Sequence, residues 1–110
     1  MYRLSAIIEE VFKTYLPVAE KRKVALNLDF PDPTKRIDSP SKVKVPLETE
    51  LEAAILRARK EVSLLVRKNY VMIKDDGEVL SSAQLEKITT LENVEAKTRV
   101  GFGTEVKIKF

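Results

Sequence analysis

Apolar residues recur at helical spacing through the opening stretch. Leu4, Ile7, Ile8, Val11, Phe12 and Tyr15 form one stripe, with Arg3, Glu9, Glu10 and Lys13 on the opposite side. The pattern predicts an amphipathic helix. Pro17 has no amide hydrogen to donate and is expected to kink or end it. The period then changes to two. Val24, Leu26, Leu28 and Phe30 alternate with Ala25, Asn27 and Asp29, which predicts a half-buried strand. Pro31, Pro33 and Pro40 punctuate a loop, and Val43 and Val45 suggest a short strand before Pro46. A second helix is expected from about Glu48 to Glu61. Leu51, Ala54, Ile55, Ala58 and Val62 line its inner face, and Thr49 or the preceding turn caps it. On its outer face Glu48 and Glu52 are expected to pair with Arg57 and Arg59.

Two strands follow, Ser63 to Arg67 and Tyr70 to Lys74. Lys68-Asn69 between them reads as a tight hairpin turn, because Asn tolerates positive φ. Asp75-Asp76-Gly77 ends the second strand. Ser81, Ser82 and Gln84 open a short helix anchored by Leu85 and Ile88. Val94 to Val100 and Thr104 to Phe110 alternate again around Gly101-Phe102-Gly103 and read as a closing hairpin. The simplest assembly is an α+β, two-layer α/β sandwich. In it a mostly antiparallel, twisted sheet is covered on one face by two main helices and a short third helix. Leu4, Ile8, Val11, Phe12, Leu51, Ala54, Ile55 and Ala58 are expected to face the sheet.

The 110 residues are one domain's worth, 1–110. A hydrophobic fraction of 44% with 34% charged residues fits a folded chain. Cys and His are both absent. That excludes disulfides, thiolate metal sites and a phosphoacceptor histidine, and removes the commonest general base. No apolar run approaches the roughly 18 residues of a membrane span. Met1 to Ala6 runs into Glu9 and Glu10 and does not read as a signal peptide, so a cytoplasmic setting without membrane contact is expected. The Lys, Glu and Val content suggests a thermophilic source. The net charge of +3 is spread along the chain rather than gathered in one block.

Three segments, in this order, carry a resemblance to a known family. The first runs from Leu4-Ser-Ala-Ile-Ile-Glu-Glu-Val-Phe through Pro17-Val-Ala-Glu-Lys-Arg-Lys-Val-Ala-Leu. The second is Val71-Met-Ile-Lys-Asp-Asp-Gly, and the third is Val100-Gly-Phe-Gly-Thr-Glu-Val-Lys-Ile-Lys-Phe. Together they resemble the ATP-binding domain of sensor histidine kinases, whose two-layer fold is shared with Hsp90-type and gyrase-type ATPases. The resemblance places Asp75 and Gly77 on the first two fixed positions of the Asp-x-Gly-x-Gly box, and Gly101, Gly103 and Thr104 on the Gly-x-Gly-Thr hairpin. It implies that Asp75 would accept a hydrogen bond from an adenine amino group. Read without the resemblance, Asp75 and Gly77 are turn residues and Thr104 is a strand former.

The departures from the family are equally specific. The family places a magnesium-ligating Asn on its second long helix, whereas this chain has no Asn between Asn27 and Asn69 and offers Arg57 or Lys60 instead. A cation cannot ligate a hard metal ion. The second Gly of the box is Val79, and no Gly lies between Gly77 and Gly101 to form a phosphate lid. A vestigial nucleotide site (Asp75, Gly77, Gly101, Gly103, Thr104) is therefore expected, with no cofactor, no metal and no catalysis. The function expected is a regulatory or adaptor module that acts through a protein partner or self-association. Its candidate surface is Arg57, Lys60, Val79, Leu80 and Leu85, or else Leu80 and Leu85 turn inward and close the core. The alternatives are a minimal nucleotide-binding protein that keeps adenine recognition through Asp75, and a weak nucleic-acid-binding module that uses the bases of the second helix.

Overall fold

A computed structural model of the chain describes residues 2–32 and 34–110. Met1 and Pro33, the latter expected from the sequence to lie in a loop, are outside them. The chain runs β1 (Tyr2–Arg3), α1 (Leu4–Lys21), β2 (Ala25–Asp29), β3 (Arg36–Ile37), α2 (Pro40–Arg57), β4 (Glu61–Val66), β5 (Tyr70–Asp75), α3 (Ser82–Ile88), β6 (Val94–Arg99) and β7 (Gly103–Lys109). Five strands form one sheet in the order β2-β4-β5-β7-β6, and β1 pairs separately with β3. β2 is parallel to β4, and every other neighbouring pair is antiparallel. The helices pack against one face, which gives the expected two-layer α+β sandwich.

Both long helices carry a proline inside, and each solves the lost hydrogen bond differently. α1 runs through Pro17 to Lys21 rather than ending there. The proline is exposed, so the carbonyl of Lys13 that it leaves unpaired is on the solvent side of the helix. α1 closes where Lys23 adopts φ 59° and the Val24 amide donates to Ala19 O at 2.9 Å.

α2 departs further from expectation. It starts at Pro40, in the favoured first-turn position, and ends at Arg57. Val43 and Val45 are therefore helical and not a strand, and Val62 belongs to β4 and not to the helix. Val43, Leu47 and Leu51 repeat every fourth residue and are fully buried, so the helical stripe continues across Pro46. Pro46 is buried and cannot bond the carbonyl of Lys42. The Asn93 side chain donates to that carbonyl at 2.9 Å in its place. Thr49 lies mid-helix and donates to Val45 O rather than capping. Glu48 approaches Lys44, not Arg57. Asn93→Ala is expected to lower stability by about 1 kcal/mol, the usual worth of such a bond. Urea denaturation checks it, and no change would mean that solvent replaces Asn93 at the carbonyl.

Leu4, Ile8, Val11, Leu51, Ala54 and Ile55 are buried against the sheet, while Phe12 and Ala58 are half-buried at its margin. The β4–β5 hairpin closes with the Arg67 amide on Tyr70 O at 2.8 Å. The register pairs Val66 with Val71 and sets Arg67 opposite Tyr70, so Lys68-Asn69 is the two-residue connection expected, although Asn69 does not adopt positive φ. Ser81 caps α3 in a reciprocal box with Gln84, and Leu85 and Ile88 are its half-buried positions.

Candidate functional site

The inner face of the sheet changes chemistry along its strands. On β5 the inward row is Val71, Ile73, Asp75. On β7 it is Ile108, Val106, Thr104, and on β6 it is Val94, Ala96, Thr98. The register aligns these rows, so Asp75 sits opposite Thr104 and Thr104 opposite Thr98. An apolar core therefore ends in one polar row at one end of the sheet. Asp75 and Thr104 are the buried polar residues of the described chain, at 3% and 0% exposure.

Each polar group in this row has a partner. Arg57, at the last turn of α2, reaches the Asp75 carboxylate. Its Nη2 and Nε donate to Oδ2 at 2.9 and 3.3 Å. The Gly77 amide donates to Oδ1 at 2.9 Å. Thr98 Oγ1 accepts from the Leu80 amide at 3.0 Å and lies 3.2 Å from Thr104 Oγ1. Among the described residues no buried side-chain nitrogen or oxygen lacks a partner, as a water-poor site requires.

The next residue fastens the same corner from outside. The Asp76 carboxylate accepts from the amides of Arg59 at 2.7 Å, Lys60 at 3.0 Å and Glu61 at 3.3 Å. It thereby ties the end of β5 to the α2–β4 connection. Burial works to raise its carboxyl pKa, but these amides outweigh it and hold the group below the ordinary carboxylate value. A carboxyl whose folded pKa is depressed contributes stability that is present above its unfolded pKa. That contribution is lost as the pH falls through the folded pKa. The stability difference between the wild type and Asp76→Ala is therefore expected to be full at pH 7 and to shrink below about pH 4. Urea denaturation across this range measures it, and a gap that persists unchanged at low pH would contradict the assignment.

Two glycines hold the corner closed by close approach. A Cβ on Gly77 would lie 2.4 Å from the Arg57 carbonyl oxygen. On Gly103, which adopts φ 84°, it would lie 2.0 Å from the Asp75 carbonyl oxygen. Gly101 shares that φ but has nothing nearby. It sits in the exposed turn Val100–Phe102, where Val100 and Phe102 are 85% and 70% exposed. This turn stands between two shallow clefts of about 290 and 360 Å³, which meet the surface at Arg59 and Val79 on one side and at Ser63 and Lys74 on the other.

The site thus gathers Asp75, Gly77, Gly103 and Thr104, while Gly101 stands at the hairpin tip. The candidate surface does not gather in the same way. Arg57 points to Asp75 rather than outward. Leu80 is 8% exposed because its amide is drawn to Thr98, so it closes the core instead of forming a patch. Lys60 and Val79 are exposed, and Leu85 is half-buried. Thr98 and Asp76 were not among the sequence-derived site residues. The period-two alternation of β6 and β5 marks Thr98 as inward-facing, but Asp76 carries no such signal.

No protein-family model matches the sequence, and no curated protein matches it. Solved structures do. The cytoplasmic segment of histidine kinase QseC superposes with a TM-score of 0.73 at 15% identity, over 98% of this chain and 74% of that one. The catalytic domain of histidine kinase ThkA gives 0.71 at 12% identity, over 98% and 94%. The fold is that of a histidine-kinase catalytic domain. ThkA in complex with the response regulator TrrA matches as well, with a TM-score of 0.70 at 13% identity, over 98% of this chain and 40% of that one.

Among the described residues no cluster of three or more acidic side chains could hold a metal ion. The last turn of α2 brings a guanidinium to the Asp75 carboxylate. Glu50, two turns earlier on the same helix, is half-buried, and burial pushes its carboxyl up against the opposing charge of Arg57.

Proposed function

We propose that this chain is a non-catalytic signalling module, a histidine-kinase-type domain that acts by protein contact rather than by nucleotide turnover. The observation that carries this reading is the Arg57–Asp75 pair. The resemblance assigns to Asp75 the reception of an adenine amino group. Here Arg57 and the Gly77 amide already hold both carboxylate oxygens. A purine would have to displace a charge-assisted hydrogen bond inside a buried site, where leaving either partner unpaired is costly. The segment from Glu78 to Val100 supports the same reading. It contains no Gly and is occupied by α3 and β6, which leaves no Gly-rich lid for a triphosphate.

The outward-facing feature at this end is the Val100–Phe102 turn with Val79 beside it, bordered by Arg59 and Glu78. An apolar centre with a charged rim is the ordinary anatomy of a binding patch. Leu80 and Arg57 are not part of it. A response-regulator receiver domain or a helical dimerisation domain is the type of partner proposed, and self-association is the other outcome of the same experiment. Cross-linking in the source cell, followed by mass spectrometry, compares the wild type with Val100→Asp/Phe102→Asp. A two-component protein, or a second copy of the chain, is expected on the wild type and lost from a double variant with unchanged circular dichroism. Identical captures by both would sink the proposal. Incubation with Mg-ATP labelled on the γ-phosphate is expected to give neither hydrolysis nor self-phosphorylation. Turnover that survives exhaustive purification would contradict the non-catalytic reading.

A further inference from the structure

A separate cavity opens at the opposite end of the sheet, where the parallel strands β2 and β4 finish. The chain leaves β2 through Phe30 and leaves β4 through Val66 and Arg67, and the space between encloses about 400 Å³. Small-molecule sites fall in the range of roughly 300–1,000 Å³. The floor is apolar, because Val66 is buried in the core and Phe30 packs against it. The rim is cationic, with Lys35, Arg67 and Lys68 facing a single carboxylate, Asp32.

These charges are not equivalent. Arg67 is fixed, since its Nη2 donates to Asp29 Oδ2 at 2.9 Å and its Nη1 to Val66 O at 3.0 Å. Asp32 is engaged by the hydroxyl and amide of Thr34. Lys35 lies 5.9 Å from the ring centre of Phe110. Among the described residues neither Lys35 nor Lys68 takes part in an ion pair. With Arg67 offset by Asp29, the two lysines outnumber Asp32, so the rim is net positive around an apolar floor.

We propose that this cavity binds a small apolar molecule that carries one anionic head, such as an aromatic or branched-chain carboxylate. The apolar body lies on Phe30 and Val66, where burial of hydrocarbon drives binding. The head sits between Lys35 and Lys68. A polyphosphate does not suit this site, because most of its oxygens would meet carbon rather than donors. A neutral apolar body leaves the lysine charges uncompensated and loses the selectivity that the rim confers. None of the residues at the Asp75 end takes part, so this site stands independently of the Arg57–Asp75 pair.

The probe is 8-anilino-1-naphthalenesulfonate, an aromatic body with one anionic group, titrated into the isotope-labelled full chain. Saturable one-to-one binding is expected, with amide shifts centred on Phe30, Lys35, Val66 and Lys68. Lys68→Glu, at an exposed turn position, is expected to weaken binding about tenfold. The uncharged analogue N-phenyl-1-naphthylamine is expected to bind the wild type about tenfold more weakly and to ignore that substitution. The proposal is overturned if shifts centre instead on Val100 and Phe102, if Lys68→Glu leaves the affinity unchanged, if the neutral analogue binds as tightly, or if no saturable binding occurs.

Discussion

Arg57→Ala is expected to destabilise the protein by about 3–5 kcal/mol, because it leaves the Asp75 carboxylate charged, buried and facing only the Gly77 amide. The pair is enclosed, with the Asp75 side chain at 0% exposure and that of Arg57 at 19%. The cost is mainly that of the orphaned carboxylate, not of a lost attraction. Replacing both partners by leucine is therefore expected to cost less than Arg57→Ala alone, since neither charge is then stranded. Arg57→Lys is expected to fall between wild type and alanine. An ammonium can reach one oxygen but does not reproduce the two donors of the guanidinium that converge on Oδ2. Urea denaturation of the three variants measures the series. If the single substitution costs under about 1 kcal/mol, the ion pair is a surface contact and the enclosed corner described above is wrong.

Gly103→Ala is the second large effect. Two penalties coincide there. The backbone stands at φ 84°, which an L side chain rarely adopts, and the added methyl would meet the Asp75 carbonyl oxygen at 2.0 Å and its carbon at 2.8 Å. Left-handed strain costs roughly 1–2 kcal/mol, and overpacking adds roughly 1–3 kcal/mol. A total of about 2–5 kcal/mol is expected from these two sources. Gly101 supplies the internal control. It has the same φ but nothing within 4 Å, so Gly101→Ala is expected to show the strain alone. Thermal or urea denaturation of the two variants separates the contributions. Equal losses would mean that β7 does not approach the end of β5 as closely as described.

These two corners explain why the Asp-Asp-Gly and Gly-x-Gly segments stand out in the sequence even without a ligand. Gly77 and Gly103 are required where strands and helix end meet at backbone distance, and Asp75 and Asp76 each fasten one side of that junction. A purely structural reason thus exists for every one of these residues. The same arrangement bears on the alternative of residual adenine recognition, which would require Arg57 to swing away from Asp75. Nucleic-acid binding through the bases of α2 loses one cation for the same reason.

The architecture was legible wherever a single period governed an element. The alternation in β5, β6 and β7 and the stripe of α1 map directly onto the observed strands and helix. Legibility failed at proline. Pro46 reads locally as a boundary, which makes a strand of Val43 and Val45. In fact Asn93, distant in sequence, supplies the missing hydrogen bond and lets α2 continue. No local pattern announces such a partner. Pro17 does not end α1 for a simpler reason, since an exposed carbonyl costs little next to water. At the site, the chemical types were legible but their pairing was not. Arg57 reads as one more surface base on a charged helix, and only the packing of α2 on β5 brings it to a buried carboxylate. Leu80 similarly looks like an exposed apolar residue until the Thr98 hydroxyl draws its backbone inward.

Calorimetric titration of the wild-type chain with ADP and with ATP, in magnesium and again in EDTA, tests the occupied-carboxylate account most directly. The expected result is heat indistinguishable from dilution up to millimolar nucleotide in both conditions. A saturable one-to-one isotherm with micromolar affinity, abolished by Asp75→Asn in a folded variant, would contradict it.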